Sequence, residues 1–268
     1  MNLSVMDLIV IISCVYFVVI ISVLTSRYAL KKRTRALELS GREMVSNIAH
    51  ELKTPMTSIV GFVETLQNGA INHPEKAKRF LDIIAVESQR LQSIIDSTLE
   101  ISRLDNMDED TNQSEFIFDE LIGECVSLLS HTAQEDNIQI NAYYKKSGRI
   151  IVRANKTRIK QVVYNLVGNA IKYNHPNGRV DINVDNKGKH LYLSVYNTGR
   201  GIQHEHIQRL FERFYRVDDG RARDVGGTGL GLSIVKRIVR LYDGKIEVES
   251  QAGEYAEFII TLPICVSK

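Results

Sequence analysis

Residues 45–66 read VSNIAHELKTPMTSIVGFVETL. Val45, Ile48, Leu52, Met56, Ile59, Val63 and Leu66 recur at spacings of three and four, which places them on one stripe of an α-helix. Asn68-Gly69 ends the pattern, and Pro74 opens a second helix at a position where proline is favoured. Along that helix Phe80, Ile84, Leu91, Ile94, Thr98, Ile101 and, off the main stripe, Leu104 form a similar seam. Two antiparallel helices with one apolar stripe each bury little by themselves. The pattern therefore predicts a hairpin that pairs with a second copy, a homodimer closed as a four-helix bundle.

His50 stands apart from this seam. At about 100° per residue it lies roughly 200° from both Ile48 and Leu52, so it faces solvent. A surface histidine usually has no task, but here the neighbours alter the reading. Glu51 is adjacent and can pair with one ring nitrogen, raising the nucleophilicity of the other, and an ordinary imidazole is mostly neutral at pH 7. Thr54 follows one turn later on the same face. Pro55 has no N–H for the carbonyl of Glu51, so a kink is expected beside the histidine.

Towards the N-terminus, Leu8 to Leu24 reads LIVIISCVYFVVIISVL without a charge, long enough as a helix to cross most of a hydrocarbon core of about 30 Å. The preceding tail MNLSVMD lacks Lys and Arg, which argues against a cleaved signal peptide. Arg27, Lys31, Lys32, Arg33 and Arg35 follow the run. The expectation is a single membrane span with residues 1–7 outside, a basic connecting helix over 25–42, and everything after it in the cytoplasm. No receptor domain is expected outside, so input would come through the span, lipid or another protein.

Towards the C-terminus, residues 105–115, DNMDEDTNQSE, have no apolar period and read as a linker between the hairpin, 43–104, and a lobe, 116–268. In the lobe, helical patterns near Asp119–Ser130, Lys156–Tyr173 and Ser233–Leu241 alternate with strand patterns. The strands are expected near Ile138–Tyr144, Ile150–Val152, Val180–Val184, Leu191–Tyr196, Lys245–Glu249 and Ala256–Leu262. This order predicts a layered α+β domain whose late strands pair antiparallel.

Composition narrows the function. Lys+Arg is 34 against Asp+Glu 32, so no whole-protein field draws in nucleic acid. The 3 cysteines are far apart and carry no metal or disulfide pattern. Three stretches bear on phosphate chemistry instead. Asn165, Asn169 and Lys172 share one helix face, where amide oxygens can ligate Mg²⁺ and an ammonium can meet phosphate; a plain solvated face is the competing reading. Asn197-Thr-Gly199-Arg-Gly201 ends a buried strand, where glycines permit close backbone approach or simply a tight turn. Gly226-Gly227-Thr228-Gly229-Leu230-Gly231 runs into a helix, whose bare amides suit an anion.

Together these residues resemble the sensor histidine kinases of bacterial two-component systems. His50 to Pro55 is similar to the H box, Asn165 to Tyr173 to the N box, Asn197 to Gly201 to the first glycine box, Phe211 to Arg216 to the F box, and Gly227 to Gly231 to the second glycine box. Residues around His50 and the run Gly61 to Leu66 resemble the phosphate-regulation branch.

The resemblance implies an α+β chain built from a transmembrane helix, a helical-hairpin dimerisation and phosphotransfer domain, and an α/β sandwich ATP-binding domain of the histidine kinase, gyrase and Hsp90 type. It further implies that His50 accepts the γ-phosphoryl group of ATP, that Glu51 orients it, and that Thr54 positions water when a phospho-regulator is hydrolysed. Asn169 would hold Mg²⁺, supported by Asn165 and Lys172. Tyr173, Gly199, Gly201, Gly227, Thr228, Gly229, Leu230 and Gly231 would line the nucleotide, and Gly227, Gly229 and Gly231 would let a lid between Phe214 and Gly231 close over the phosphates. A cognate response regulator would receive the phosphoryl group.

Asn197 stands where the family usually has Asp; it keeps an acceptor oxygen for the adenine amino group and adds a donor for a ring nitrogen. The related ATPases place glutamate where this chain has Asn165, which cannot act as a base, so transfer to a side chain suits the site better than hydrolysis. P-loop and eukaryotic-type kinase motifs are missing.

Overall fold

The computed structural model describes residues 44–107, 109–145, 149–217 and 228–265. The expected span Leu8–Leu24, its tail and the basic connecting segment lie outside the described residues. Among the described residues no helix is long and apolar enough to cross a membrane. The chain divides into two compact units, residues 1–53 and 54–268.

Residues 44–67 are helical (α1), and Pro55 does not end the helix. In the first unit, Val45 is 68% exposed and His50 is exposed. In the second, Gly69 turns the chain at φ 108, a left-handed value that suits glycine, and a 3₁₀ turn at Ala70–Asn72 leads into α2, Pro74–Asp105. Proline opens α2, where its missing N–H costs nothing. The rings of Phe62 and Phe80, 5.2 Å apart, tie the two helices across the turn.

Of the expected seams, Leu66, Ile94, Ile101 and Leu104 are buried, Ile59, Phe80, Ile84 and Leu91 are half-buried, and Met56 and Val63 are exposed; off the seams, Val60 on α1 and Leu81, Val86, Ile95 and Leu99 on α2 are exposed as well. One hairpin supplies each helix with one neighbour. Leu104, off the main stripe in sequence, is fully buried because the end of α2 packs against helix α6 of the lobe, Gly231–Leu241.

A five-stranded sheet of order β2-β4-β5-β7-β6 organises the lobe: Gln139–Tyr144, Arg179–Lys187, His190–Thr198, Tyr255–Leu262 and Lys245–Gln251. Its late strands pair antiparallel, as the hydrophobic pattern predicts, while β2 joins β4 in parallel. Helices α3, Phe118–Glu135, and α4, Lys156–Lys172, pack with α6 into a layer over the sheet. Leu191, Leu193 and Val195 of β5 and Phe258, Ile260 and Leu262 of β7 alternate into the core beneath it. The remaining helix, α5 at His204–Ile207, is one turn.

The acidic stretch differs from a solvated spacer. Its last two residues, Ser114 and Glu115, start strand β1, Ser114–Ile117, which pairs antiparallel with β3, Ile151–Ala154. In its middle Asp110 is 6% exposed. Its carboxylate meets Arg158 Nε at 3.1 Å and accepts from the Tyr242 hydroxyl at 2.6 Å. Counting charge without partners could not show that one of these acids is a buried anchor. Burial and this short bond hold the Tyr242 phenol well above its ordinary pKa.

Candidate active site

Helix α4 begins at Asn155, whose side chain accepts from the N–H groups of Thr157 and Arg158, satisfying two donors at the helix start. The helix buries Val162, Val163, Leu166, Val167 and Ile171 in the core. That packing rolls Asn165, Asn169 and Lys172, spaced four and three apart, to its half-buried opposite side. All three line one cavity of about 390 Å³, within the ordinary range for a small-molecule site.

Asn197 enters the same cavity from below. It continues the inward alternation of Leu191, Leu193 and Val195, so a polar amide, 3% exposed, stands at a core position. Its Nδ2 donates to the carbonyl of Thr198 at 2.7 Å. One of its two N–H groups is thus bonded to the backbone, which leaves the second N–H as donor and Oδ1 as acceptor.

The glycines serve chiefly the chain's own crossings. Gly199 has φ 141, and a Cβ there would stand 2.4 Å from the carbonyl oxygen of Tyr173. Gly201 lines the cavity with φ 57, and its Cβ would stand 2.0 Å from the carbonyl oxygen of Gln251. Close approach is therefore required, but to backbone. Gly199 lies outside the cavity lining, and Leu230 is fully buried beneath it. Thr228, Gly229 and Gly231 line the cavity, and a Cβ on Gly231 would stand 3.1 Å from the Asn165 amide oxygen. Gly227, with most of the expected lid, lies outside the described residues.

Positive charge converges on this hollow. Lys172 is joined in its lining by Arg200 and Arg216, which the residue-by-residue reading did not place there. The Lys172 ammonium sits 4.9 Å and the Arg200 guanidinium 5.2 Å from the ring of Tyr173. Burial, then the charges of Arg216, Arg200 and Arg90, push Lys172 down to about 8. Burial raises the Tyr173 phenol, opposed by Arg216 and Arg200. The signal for Arg200 was its place between the two glycines, which fix the backbone on either side.

The cavity is lined by residues of the second unit. Thr54 belongs to that unit, is exposed and is not in the lining; His50, exposed, and Glu51, half-buried, belong to the first. Among the described residues no group of three or more His, Cys, Asp or Glu side chains gathers as a metal site. The asparagine oxygens are nevertheless hard donors of the kind Mg²⁺ accepts, and that ion is commonly held by few protein ligands together with substrate phosphates and water.

Comparison with known proteins matches residues 41–106 to the His Kinase A (phospho-acceptor) domain and residues 154–265 to the histidine kinase-, DNA gyrase B-, and HSP90-like ATPase family. Sensor protein SrrB of Staphylococcus aureus is 32% identical over 227 residues, 85% of this chain and 39% of that protein. The chain thus spans about two fifths of the length of these curated relatives. The catalytic domain of histidine kinase ThkA is 33% identical, with 56% of this chain and 95% of that one covered and a TM-score of 0.50. ThkA in complex with response regulator protein TrrA gives a TM-score of 0.68 at 30% identity, covering 87% of this chain and 64% of that one. With the hairpin, the sandwich lobe and these matches in the same order along the sequence, the chain belongs to the sensor histidine kinase family.

Proposed function

We propose that this chain is an ATP-dependent protein-histidine kinase that phosphorylates His50 and passes the phosphoryl group to an aspartate of a response regulator. The observation that carries the reading is one cavity uniting the asparagine pair on α4, three cations and a buried amide acceptor, in a chain whose phospho-acceptor segment exposes a histidine. Asn197 Oδ1 accepts from the adenine amino group. Lys172 and Arg216 meet phosphate oxygens. Asn169 and Asn165 would hold Mg²⁺, which when bound neutralises phosphate charge during transfer. Glu51 orients the imidazole, and Thr54 positions water for hydrolysis of the phospho-regulator. ThkA, with its bound regulator TrrA, supports a partner of the same kind.

The exposed apolar residues of α1 and α2 support a homodimer closed as a four-helix bundle. The uncharged run Leu8–Leu24 supports a single span in the cell membrane with the catalytic region in the cytoplasm. Membership of the phosphate-regulation branch rests on the sequence flanking His50.

Incubating the full chain, in detergent micelles with magnesium, with γ-labelled ATP tests the kinase. Acid-labile label on the protein, transferable to a regulator, is the expected result. ATP turnover without protein label would make the lobe an ATPase, and neither would leave a docking module.

Lys172 adds a pH test. A pKa lowered to about 8 from the ordinary 10.5 means that between those values the unfolded chain holds the proton and the folded protein largely does not. In that window this group makes stability rise with pH; below it the burden of confining the charge is fully present. Bound phosphate should return the proton. At pH 8, ATP binding is expected to take up about half a proton, read from calorimetric enthalpies in buffers of different ionisation enthalpy. Enthalpies independent of buffer would remove Lys172 from the phosphates.

A further inference from the structure

A histidine outside the cavity lining holds a side chain within it. Tyr215 lines the cavity, and its hydroxyl shares a hydrogen bond of 2.6 Å with Nδ1 of His206 on the one-turn helix α5. The Arg209 guanidinium lies 4.2 Å from the centre of the Tyr215 ring, and its charge is met by Glu212 at 3.1 Å. The phenol is thus fixed at its tip and along one face. Its backbone is fixed as well. Phe214, the preceding residue, sits at φ 63, a left-handed value that a bulky side chain adopts only when its surroundings impose it. The Phe214 N–H donates to the carbonyl of Gly229 at 3.0 Å, and a Cβ on Gly229 would stand 2.7 Å from the Phe214 carbonyl carbon. Strain of this kind gathers at binding sites, and the two residues that follow it, Tyr215 and Arg216, both line the cavity.

The anchor runs back to the sheet. Ser250 of β6 donates through Oγ to the carbonyl of Tyr255 at 2.6 Å and accepts from the N–H of Ile202 at 2.9 Å. Ile202 precedes α5 directly, with no glycine between it and His206. The carbonyl of His206 in turn accepts from the N–H groups of Arg209 and Leu210, at 3.0 and 3.1 Å, and Leu210 lines the cavity. The other nitrogen of the His206 ring faces the exposed Glu205 carboxylate at the longer distance of 3.6 Å, so Tyr215 is the closer partner. We propose that His206 is a positioning residue for the nucleotide: through Tyr215 it sets the wall formed by Tyr215 and Arg216, so that affinity depends on a side chain that does not line the cavity. A Tyr215 ring already held in place loses little freedom when a ligand binds, which is how a bond outside the cavity reaches affinity inside it. The inference rests on the reading that the cavity takes ATP.

Dissociation constants for ATP are measured on the full chain in detergent micelles with magnesium, together with the rate of protein labelling at saturating ATP. His206→Leu keeps the bulk and removes both ring nitrogens. It is expected to weaken ATP binding about fivefold, with the saturating rate within about twofold of wild type. Tyr215→Phe should weaken binding by a similar factor, and the double variant no more than either single one, because all three lose the same bond. His206→Asn places an amide atom where Nδ1 stands, since each is bonded to Cγ, and should restore affinity to within about twofold of wild type. A histidine that only stabilises the lobe would act differently: losing it lowers the folded fraction, and with it the labelling rate, but leaves the affinity of the folded protein alone. A wild-type dissociation constant in His206→Leu therefore overturns the proposal, as do additive losses in the double variant or a His206→Asn chain as weak as His206→Leu. The kinase reading stands in each of these cases. A wild-type chain that binds no nucleotide overturns that reading, and this inference with it.

Discussion

Replacing His50 by glutamine is expected to abolish protein labelling from ATP while leaving nucleotide affinity unchanged. Glutamine keeps a polar side chain of similar reach on an exposed helix position and is at least as good a helix former, so stability should move by no more than about 0.5 kcal/mol. It cannot offer an unprotonated ring nitrogen as nucleophile. Label should fall on the order of a thousandfold or more. Asn169→Ala supplies the contrast, since it removes an amide that lines the cavity and should lose nucleotide binding and labelling together. The pair separates the acceptor from the binding machinery. Label persisting at wild-type level in His50→Gln would move the acceptor elsewhere, and weakened ATP binding in that variant would show that His50 touches nucleotide rather than receiving phosphate.

Much of this was legible in the sequence because each feature has a local cause. The 3.6-residue period of α1 and α2, proline at the start of α2, and the two-residue alternation of β5 and β7 are properties of consecutive residues, and the structure follows them closely. The spacing of Asn165, Asn169 and Lys172 fixes a shared helix face in the same way. What escaped depends on partners distant in sequence. Asn197 was read as a base reader, and the bond that one of its two N–H groups makes to the Thr198 carbonyl has no signal in the sequence. Ser93 and Ser97 carry no motif, and only the docking of α2 against the lobe brings them to the cavity. Gly199 and Gly201 were read as permitting either close approach to a ligand or a tight turn, and the sequence could not name Tyr173 and Gln251 as the backbone that crowds them. Among acids of identical chemistry in DNMDEDTNQSE, periodicity could not single out the one that finds an arginine 48 positions later.

That acid gives the largest expected effect on stability. The Asp110 side chain is 1% and that of Arg158 14% exposed, and the pair closes at 3.1 Å. The Tyr242 hydroxyl donates to the same carboxylate and accepts from the backbone N–H of Asn155 at 2.9 Å, while Asn112 N–H donates to the second carboxylate oxygen at 3.2 Å. Replacing such a pair by apolar groups of similar volume can be neutral, but removing one partner strands the other charge. Asp110→Ala leaves the Arg158 guanidinium, whose Nη1 already lacks a hydrogen-bond partner, without its carboxylate. A loss of about 3–5 kcal/mol is expected. For a domain of this size that lowers the thermal midpoint of the lobe by roughly 6–20 °C. Tyr242→Phe, which removes both hydrogen bonds of the hydroxyl but keeps the ring and the ion pair, should cost less, about 2 kcal/mol. The double variant Asp110→Leu with Arg158→Met should recover part of the Asp110→Ala loss, because it removes both charges from the interior. Limited proteolysis gives an independent readout: with the anchor gone, cleavage between residues 106 and 113 should accelerate while the hairpin stays intact. An Asp110→Ala chain that melts with the wild type and is cut no faster would mean that the carboxylate is solvated, and the segment joining α2 to the sheet would then be the free spacer its acidity suggests.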